Sequence, residues 1–247
     1  NIDLRWNDID LKIGQFGTVV GNEVYNYNEN AFYTHSWGFA LEPTHHTGIL
    51  ASYTMSDDLQ IGLGLANSTS AAINARGVGS SKTWLASVSY TLPSGTGALA
   101  GTELYYGLVK GDQDGASKGS DAYHYASIAL PELVANLSIK VVWDHVEYES
   151  FVADSNILGL YLSYALNADT TLNLRGEMGN INADFDGNGA VTGTENSDDV
   201  KSLTLGLNHK IWDNVISRIE YRHDRAAAVG TADSQQDTVA LNLIYSF

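Results

Sequence analysis

The residues best placed to do chemistry lie in the stretch DFDGNGAVTGTE, Asp184 to Glu195. A twelve-residue calcium loop needs oxygen ligands at its positions 1, 3, 5, 7, 9 and 12, with glycine at position 6 where the chain turns sharply. Asp184, Asp186, Asn188, the carbonyl of Ala190, Thr192 and Glu195 fill those positions, and Gly189 sits at the turn. Oxygen ligands alone suit a hard dication, so Ca2+ in a structural role is the expected cofactor. The bland alternative is a turn that binds nothing, because Asp, Asn and Gly favour turns anyway. A calcium sensor would also need an amphipathic helix on each side of this loop.

The flanks alternate instead of winding. In TTLNLRGEMGNIN, upstream, Leu172, Leu174 and Met178 share one side while Asn173, Arg175 and Glu177 share the other. In DDVKSLTLGLNHKIW, downstream, Leu203, Leu205, Leu207 and Ile211 oppose Ser202, Thr204, Asn208 and Lys210. A period of two belongs to strands with one apolar face. The loop therefore joins a hairpin.

The same plan runs along the chain. Strands are expected at 9–16, 46–55, 58–68, 80–92, 98–110, 121–131, 135–148, 155–166, 170–182, 199–211, 214–225 and 236–247. Short links (SDD, PSGTG, PELVA, NAD, DN) alternate with long ones around 69–79, 111–120, 149–154, 183–198 and 226–235. Short turns at one end and long loops at the other describe a closed antiparallel transmembrane β-barrel. The expected fold is thus all-β, one barrel domain over 1–247 with twelve strands in this chain. NIDLRW remains at the start, its apolar residues in the opposite phase to Ile9, Leu11 and Ile13. Asn7-Asp8 is either a bulge in one long strand or a turn after a further strand, which would raise the intact barrel to as many as fourteen.

Composition agrees with a wall rather than a nucleic-acid binder. Lys+Arg 13 against Asp+Glu 29 leaves a net charge of −16, which disfavours nucleic acid and anionic lipid surfaces. Cysteine is absent, and no apolar run is long enough for a transmembrane helix. The chain opens at Asn1 without Met, which points to a processed or truncated form. Aromatics recur beside the short turns: Tyr53, Tyr90, Tyr164 and Trp212, joined by Tyr245 and Phe247. Trp84, Tyr106, Trp143 and Tyr221 lie toward the long loops. Two such belts suit headgroup levels of a bilayer; a soluble sandwich would instead bury these rings between two sheets.

The last strand, DTVALNLIYSF, alternates to its end at Phe247, and a terminal phenylalanine there resembles the assembly signal of bacterial outer-membrane proteins. The opening DLKIGQFGTVVGNEVYN, with FYTHSWGF and HHTGILASY after it, resembles the outer-membrane β-barrel porin families, the phosphate-porin-like group among them. The resemblance covers the first third and the last strand. It implies a passive pore in a Gram-negative outer membrane, embedded in lipid, and names no substrate.

Residues 17–45 form the longest link, too apolar and aromatic to float in solvent, and are expected to fold into the lumen with Glu23, Glu29 and Glu42 narrowing it. An extracellular flap or a short extra hairpin is the alternative. Strand phase turns Lys140, Asp144, Arg175, Glu177, Lys210, Arg218, Glu220 and Arg222 inward, with Glu103 beside Tyr105. Arg175, Arg218 and Arg222 then form a basic wall facing the carboxylates of 17–45, or pair with Glu177 and Glu220 within the wall. No Gly-X-Ser-X-Gly motif, zinc spacing or phosphate loop supports an enzyme. The expected function is diffusion of small polar solutes or ions through an outer-membrane porin, with a homotrimer as the candidate assembly. The alternative is a structural or adhesive outer-membrane anchor whose calcium-held loops contact a surface layer or other molecules.

Overall fold

Alternation of apolar and polar residues produces one meandering sheet. The computed structural model describes residues 1–73, 81–112, 120–148, 154–181, 198–227 and 234–246. Its strands are β1 (Ile2–Trp6), β2 (Ile9–Gly17), β3 (His45–Ser56), β4 (Leu59–Ala66), β5 (Thr83–Thr91), β6 (Glu103–Asp112), β7 (Ser120–Ala129), β8 (Leu137–Glu147), β9 (Ser155–Asn167), β10 (Thr170–Ile181), β11 (Asp198–Trp212), β12 (Val215–Ala227) and β13 (Ser234–Tyr245). They lie side by side in chain order, each antiparallel to the next.

Among the described residues the strand count is thirteen rather than the expected twelve. Asn7-Asp8 is a turn, with Asn7 at φ 53°, a left-handed conformation that asparagine tolerates. The register pairs Trp6 with Ile9, Leu4 with Leu11 and Ile2 with Ile13. Directly opposed residues share a face, so the two apolar phases that looked incompatible along one strand coincide across the hairpin. At the second short link, Ser94–Leu99 forms a 3-10 turn, and β6 starts at Glu103 instead of 98. Among the described residues β1 and β13 do not pair, so the sheet has two edges. With every step antiparallel, those edges run in the same direction.

The two faces differ sharply. One exposes Leu63, Trp84, Leu158, Met178, Leu203, Leu205, Ile219 and Leu241. Tyr53, Tyr90, Tyr164, Trp212 and Tyr245 are exposed at the short-turn ends, and Trp84, Tyr106, Trp143 and Tyr221 are exposed farther along. Phe247 lies outside the described residues. A face this apolar in contact with solvent would be unstable in water, and in a bilayer it has its natural partner. The other face buries Asn173, Arg175, Glu177, Thr204, Arg218 and Glu220, with Leu85, Val109, Val142, Val146 and Ile157 nearer the long-loop ends.

Leu205, at the middle of β11 on the apolar face, tests which side meets lipid. Leu205→Arg is expected to lower folding stability in phospholipid vesicles by about 2–4 kcal/mol. Urea titration of both proteins measures this, and no loss would place that face away from lipid.

Candidate functional site

The link 17–45 between β2 and β3 packs on the polar face of the sheet. Its regular pieces are short, a 3-10 turn at Tyr27–Glu29 and helix α1 at Trp37–Leu41, whose N-cap Ser36 Oγ accepts from Phe39 N–H at 3.0 Å. Most of its main-chain groups therefore lack helical or ladder partners. The wall supplies them.

Arg175 on β10 is the hub. Its Nη1 lies 2.6 Å from Glu23 Oε1 and its Nε 3.3 Å from Glu177 Oε2, with side-chain exposures of 0% for Arg175, 5% for Glu23 and 1% for Glu177. It also donates to the Thr34 carbonyl at 2.9 Å and to Thr204 Oγ1 at 3.1 Å, and its guanidinium lies 4.8 Å from the Phe32 ring centre. Glu177 accepts from the N–H groups of Trp37 (2.7 Å) and Gly38 (3.3 Å) at the start of α1 and from Ser202 Oγ at 2.8 Å. Glu23 accepts from Ser36 N–H at 2.9 Å and from Tyr161 Oη at 3.2 Å, and meets His35 Nδ1 at 3.1 Å.

On β12 the same logic continues. Glu220 accepts from Tyr33 N–H at 2.6 Å and from Thr34 Oγ1 at 2.5 Å. Arg218 donates to the carbonyls of Phe32 (2.9 Å), Asn30 (2.7 Å) and Tyr27 (3.2 Å). Arg222 donates to the His35 carbonyl and pairs with Asp224 at 2.7 Å, and Asp224 accepts from Trp37 Nε1 at 3.0 Å. Farther round, Asn208 donates to the Ala31 carbonyl at 3.0 Å, and Tyr105 on β6 donates to the Val19 carbonyl at 2.6 Å. Val19, Val20 and Leu41 join the apolar cluster of the inner face.

Burial alone would push the Glu23 carboxyl up, but His35, the Arg175 guanidinium and the Ser36 N–H together hold it below the usual range. Glu42 goes the other way. Burial, then the neighbouring Asp144 carboxylate, raise it well above the usual range. Both carboxylates abut backbone: a Cβ on Gly38 would collide with Asp144, and one on Gly21 with Glu42.

Of the carboxylates expected to face the arginines, only Glu23 does so. Glu42 faces Asp144, and Glu29 is exposed and accepts from Asn26 at 3.1 Å, because the polypeptide between them turns twice. Arg218 meets carbonyls rather than acids. Lys140 lies apart from the arginines, lining an open cavity of about 360 Å³ with Glu103, Ser138, Tyr161 and Ser163. Lys210 sits at the short-turn end, 42% exposed and 2.7 Å from Asp213, so it belongs to a different level of the wall. The six expected calcium ligands, Asp184, Asp186, Asn188, Ala190, Thr192 and Glu195, lie outside the described residues; the strands on either side pair from Ile181 with Asp198 onward. Thr34, His35, Trp37 and Tyr161 were not anticipated as partners. Thr34 and Trp37 are joined to the wall through hydrogen bonds that strand phase cannot register.

A family model described as "Putative beta-barrel porin-2, OmpL-like" matches residues 1–247. No curated protein matches the chain. OmpT, an outer-membrane protein of Vibrio cholerae, superposes with a TM-score of 0.65 at 16% identity, over 98% of this chain and 78% of its own. The outer membrane channel DcaP of Acinetobacter baumannii gives 0.64 at 11%, over 99% and 73%. An anion-selective porin from Comamonas acidovorans gives 0.62 at 10%, over 99% and 76%. At such identities the likeness is one of fold.

Two outcomes follow from the charge arrangement. Arg175→Met leaves Glu23 and Glu177 buried without their cation, so a loss of about 3–5 kcal/mol is expected in urea unfolding, with faster proteolysis within 17–45; an unchanged midpoint would show that the hub is dispensable. Glu42, raised when folded, contributes fully below the ordinary glutamate range and loses that contribution as pH rises through its folded value. Glu23, lowered when folded, contributes fully above that range and loses it as pH falls through its folded value. Resistance of 17–45 to protease should therefore be greatest near the ordinary glutamate range and fall as pH rises through the folded value of Glu42. Glu42→Gln should abolish the fall on the high-pH side, and identical profiles for the two proteins would refute the assignment.

Proposed function

Because the chain belongs to the OmpL-like β-barrel porin family of outer-membrane channels, we propose that its sheet forms the wall of a closed barrel for passive diffusion of small polar solutes or ions, with 17–45 as the constriction. The observation that carries this reading is the clamp of 17–45 by Arg175, Arg218, Glu220 and Arg222, which fixes the segment against the inner wall instead of leaving it at a rim. A narrow passage along the open Lys140–Glu103 cavity would present both signs of charge to the path, while the enclosed Arg175–Glu23–Glu177 cluster holds the segment in place behind it. Solutes with a dipole would align in it. In the same proposal, Asp184 to Glu195 binds Ca2+ with an affinity of about 10⁻⁴–10⁻³ M and fixes a loop outside the cell. A trimer form is known for OmpT of Vibrio cholerae, and the same assembly is proposed here.

The extent of that clamp also favours a second reading, in which the segment seals the lumen and the barrel serves as an anchor. Planar-bilayer recording separates the two. A diffusion channel is expected to conduct as purified and to conduct more after Glu220→Gln, which weakens the hold on Tyr33 and Thr34. A parent protein that stays silent would favour the anchor. Calorimetric titration with Ca2+ should give heat that Asp184→Ala and Glu195→Ala both remove; a parent without heat ends the calcium proposal.

A further inference from the structure

The apolar face of the sheet carries a histidine cluster that the clamp does not use. His124 on β7 and His145 on β8 are directly opposed in the strand register, their ring centres 5.5 Å apart. Glu147, two residues farther along β8 on the same face, places Oε1 3.8 Å from His124 Nε2 and 3.7 Å from His145 Nε2. The other nitrogen of each ring is already engaged. His145 Nδ1 lies 2.8 Å from Asn156 Oδ1, and His124 Nδ1 lies 2.6 Å from Tyr106 Oη. A carboxamide oxygen only accepts, so His145 carries its proton on Nδ1 and keeps a lone pair on Nε2. Tyr106 Oη can donate to His124 Nδ1 or accept from Nδ1–H, and in the second arrangement His124 Nε2 keeps the lone pair that a metal needs. His124 Nε2 is buried without a hydrogen-bond partner. Trp143 stacks on His145 at 5.3 Å and 7°, which holds that ring in place.

Two imidazole lone pairs and a carboxylate thus converge, and each imidazole is oriented from behind by a second residue. That is the donor set and the supporting shell of a zinc site with an open position. A tetrahedral ion with bonds of about 2.0–2.1 Å holds its ligands about 3.4 Å apart. Among the described residues no three such donors already stand at ligand spacing, and here the carboxylate must close by a few tenths of an ångström. Glu147 can do so, being 56% exposed and lining an open cavity of about 550 Å³ with Lys110 and Tyr148, through which an ion reaches it. Ion pairing alone explains the group less well, since two protonated rings at this separation would repel. We propose that His124, His145 and Glu147 bind Zn2+ on the outer face of the wall, at the upper aromatic level marked by Tyr106 and Trp143, with water in the fourth position.

The test uses the untagged full chain in detergent with excess Ca2+, so that an oxygen-only site is already filled. Zn2+ titrated by calorimetry should bind with one equivalent, and Co2+ should give the intense visible absorption of a four-coordinate ion. His124→Ala and His145→Ala should each weaken Zn2+ binding at least a hundredfold, and Asn156→Ala, which frees the His145 ring, by about 10–100-fold. Should a variant fail to fold, protection of His124 and His145 in the parent from an imidazole-modifying reagent by Zn2+, reversed by a chelator, reads the same contact. No heat and no Co2+ spectrum at about millimolar metal, or binding that survives loss of both histidines, would overturn the site.

Discussion

A guanidinium and two carboxylates removed from water constrain everything around them. Arg175, Glu23 and Glu177 are almost completely enclosed, and in such surroundings each charge is tolerable only if its partners are close and its remaining valences are filled. Glu23 comes from the 17–45 link and the other two from the wall, so the wall cannot be satisfied without the link. The link in turn is irregular and has main-chain groups to place. Arg218, Glu220 and Arg222 take them. The two needs are complementary, which explains how a long segment with little regular structure is nevertheless held against one face of a sheet.

The sheet itself follows from a simpler rule. Side chains alternate across a strand, and where one face meets lipid a slip of one residue would turn every leucine toward charge. Thirteen strands obey that rule with boundaries close to those the alternation implies, because hydropathy with a period of two is written locally in each segment. The hairpin at Asn7-Asp8 was ambiguous for the same reason. Phase within one strand says nothing about the register across a turn, and Asn7 resolves it by adopting a left-handed backbone.

The site was only partly legible. The inward positions of Arg175, Glu177, Arg218, Glu220 and Arg222 could be derived from phase, yet their partners could not. Arg218 makes its hydrogen bonds to carbonyls, and carbonyls are present at every residue. Val142 and Val146 share the phase of Asp144, and Leu85 that of Ser87, so apolar and polar side chains are interspersed on the inner face. Alternation distinguishes two faces but does not say which inward positions are apolar-packed. That depends on Val19, Val20 and Leu41 arriving from elsewhere in the chain.

Anchoring through carbonyls has an evolutionary corollary. Arg218 holds the link at Tyr27, Asn30 and Phe32 without consulting the identity of those residues, and Arg222 does the same at His35, whereas Thr34 is held through its hydroxyl as well as its carbonyl. Side chains on the far surface of the link can therefore drift by mutation while the attachment is inherited intact, which lets descendants of one scaffold diversify what they admit without first reinventing how they fold.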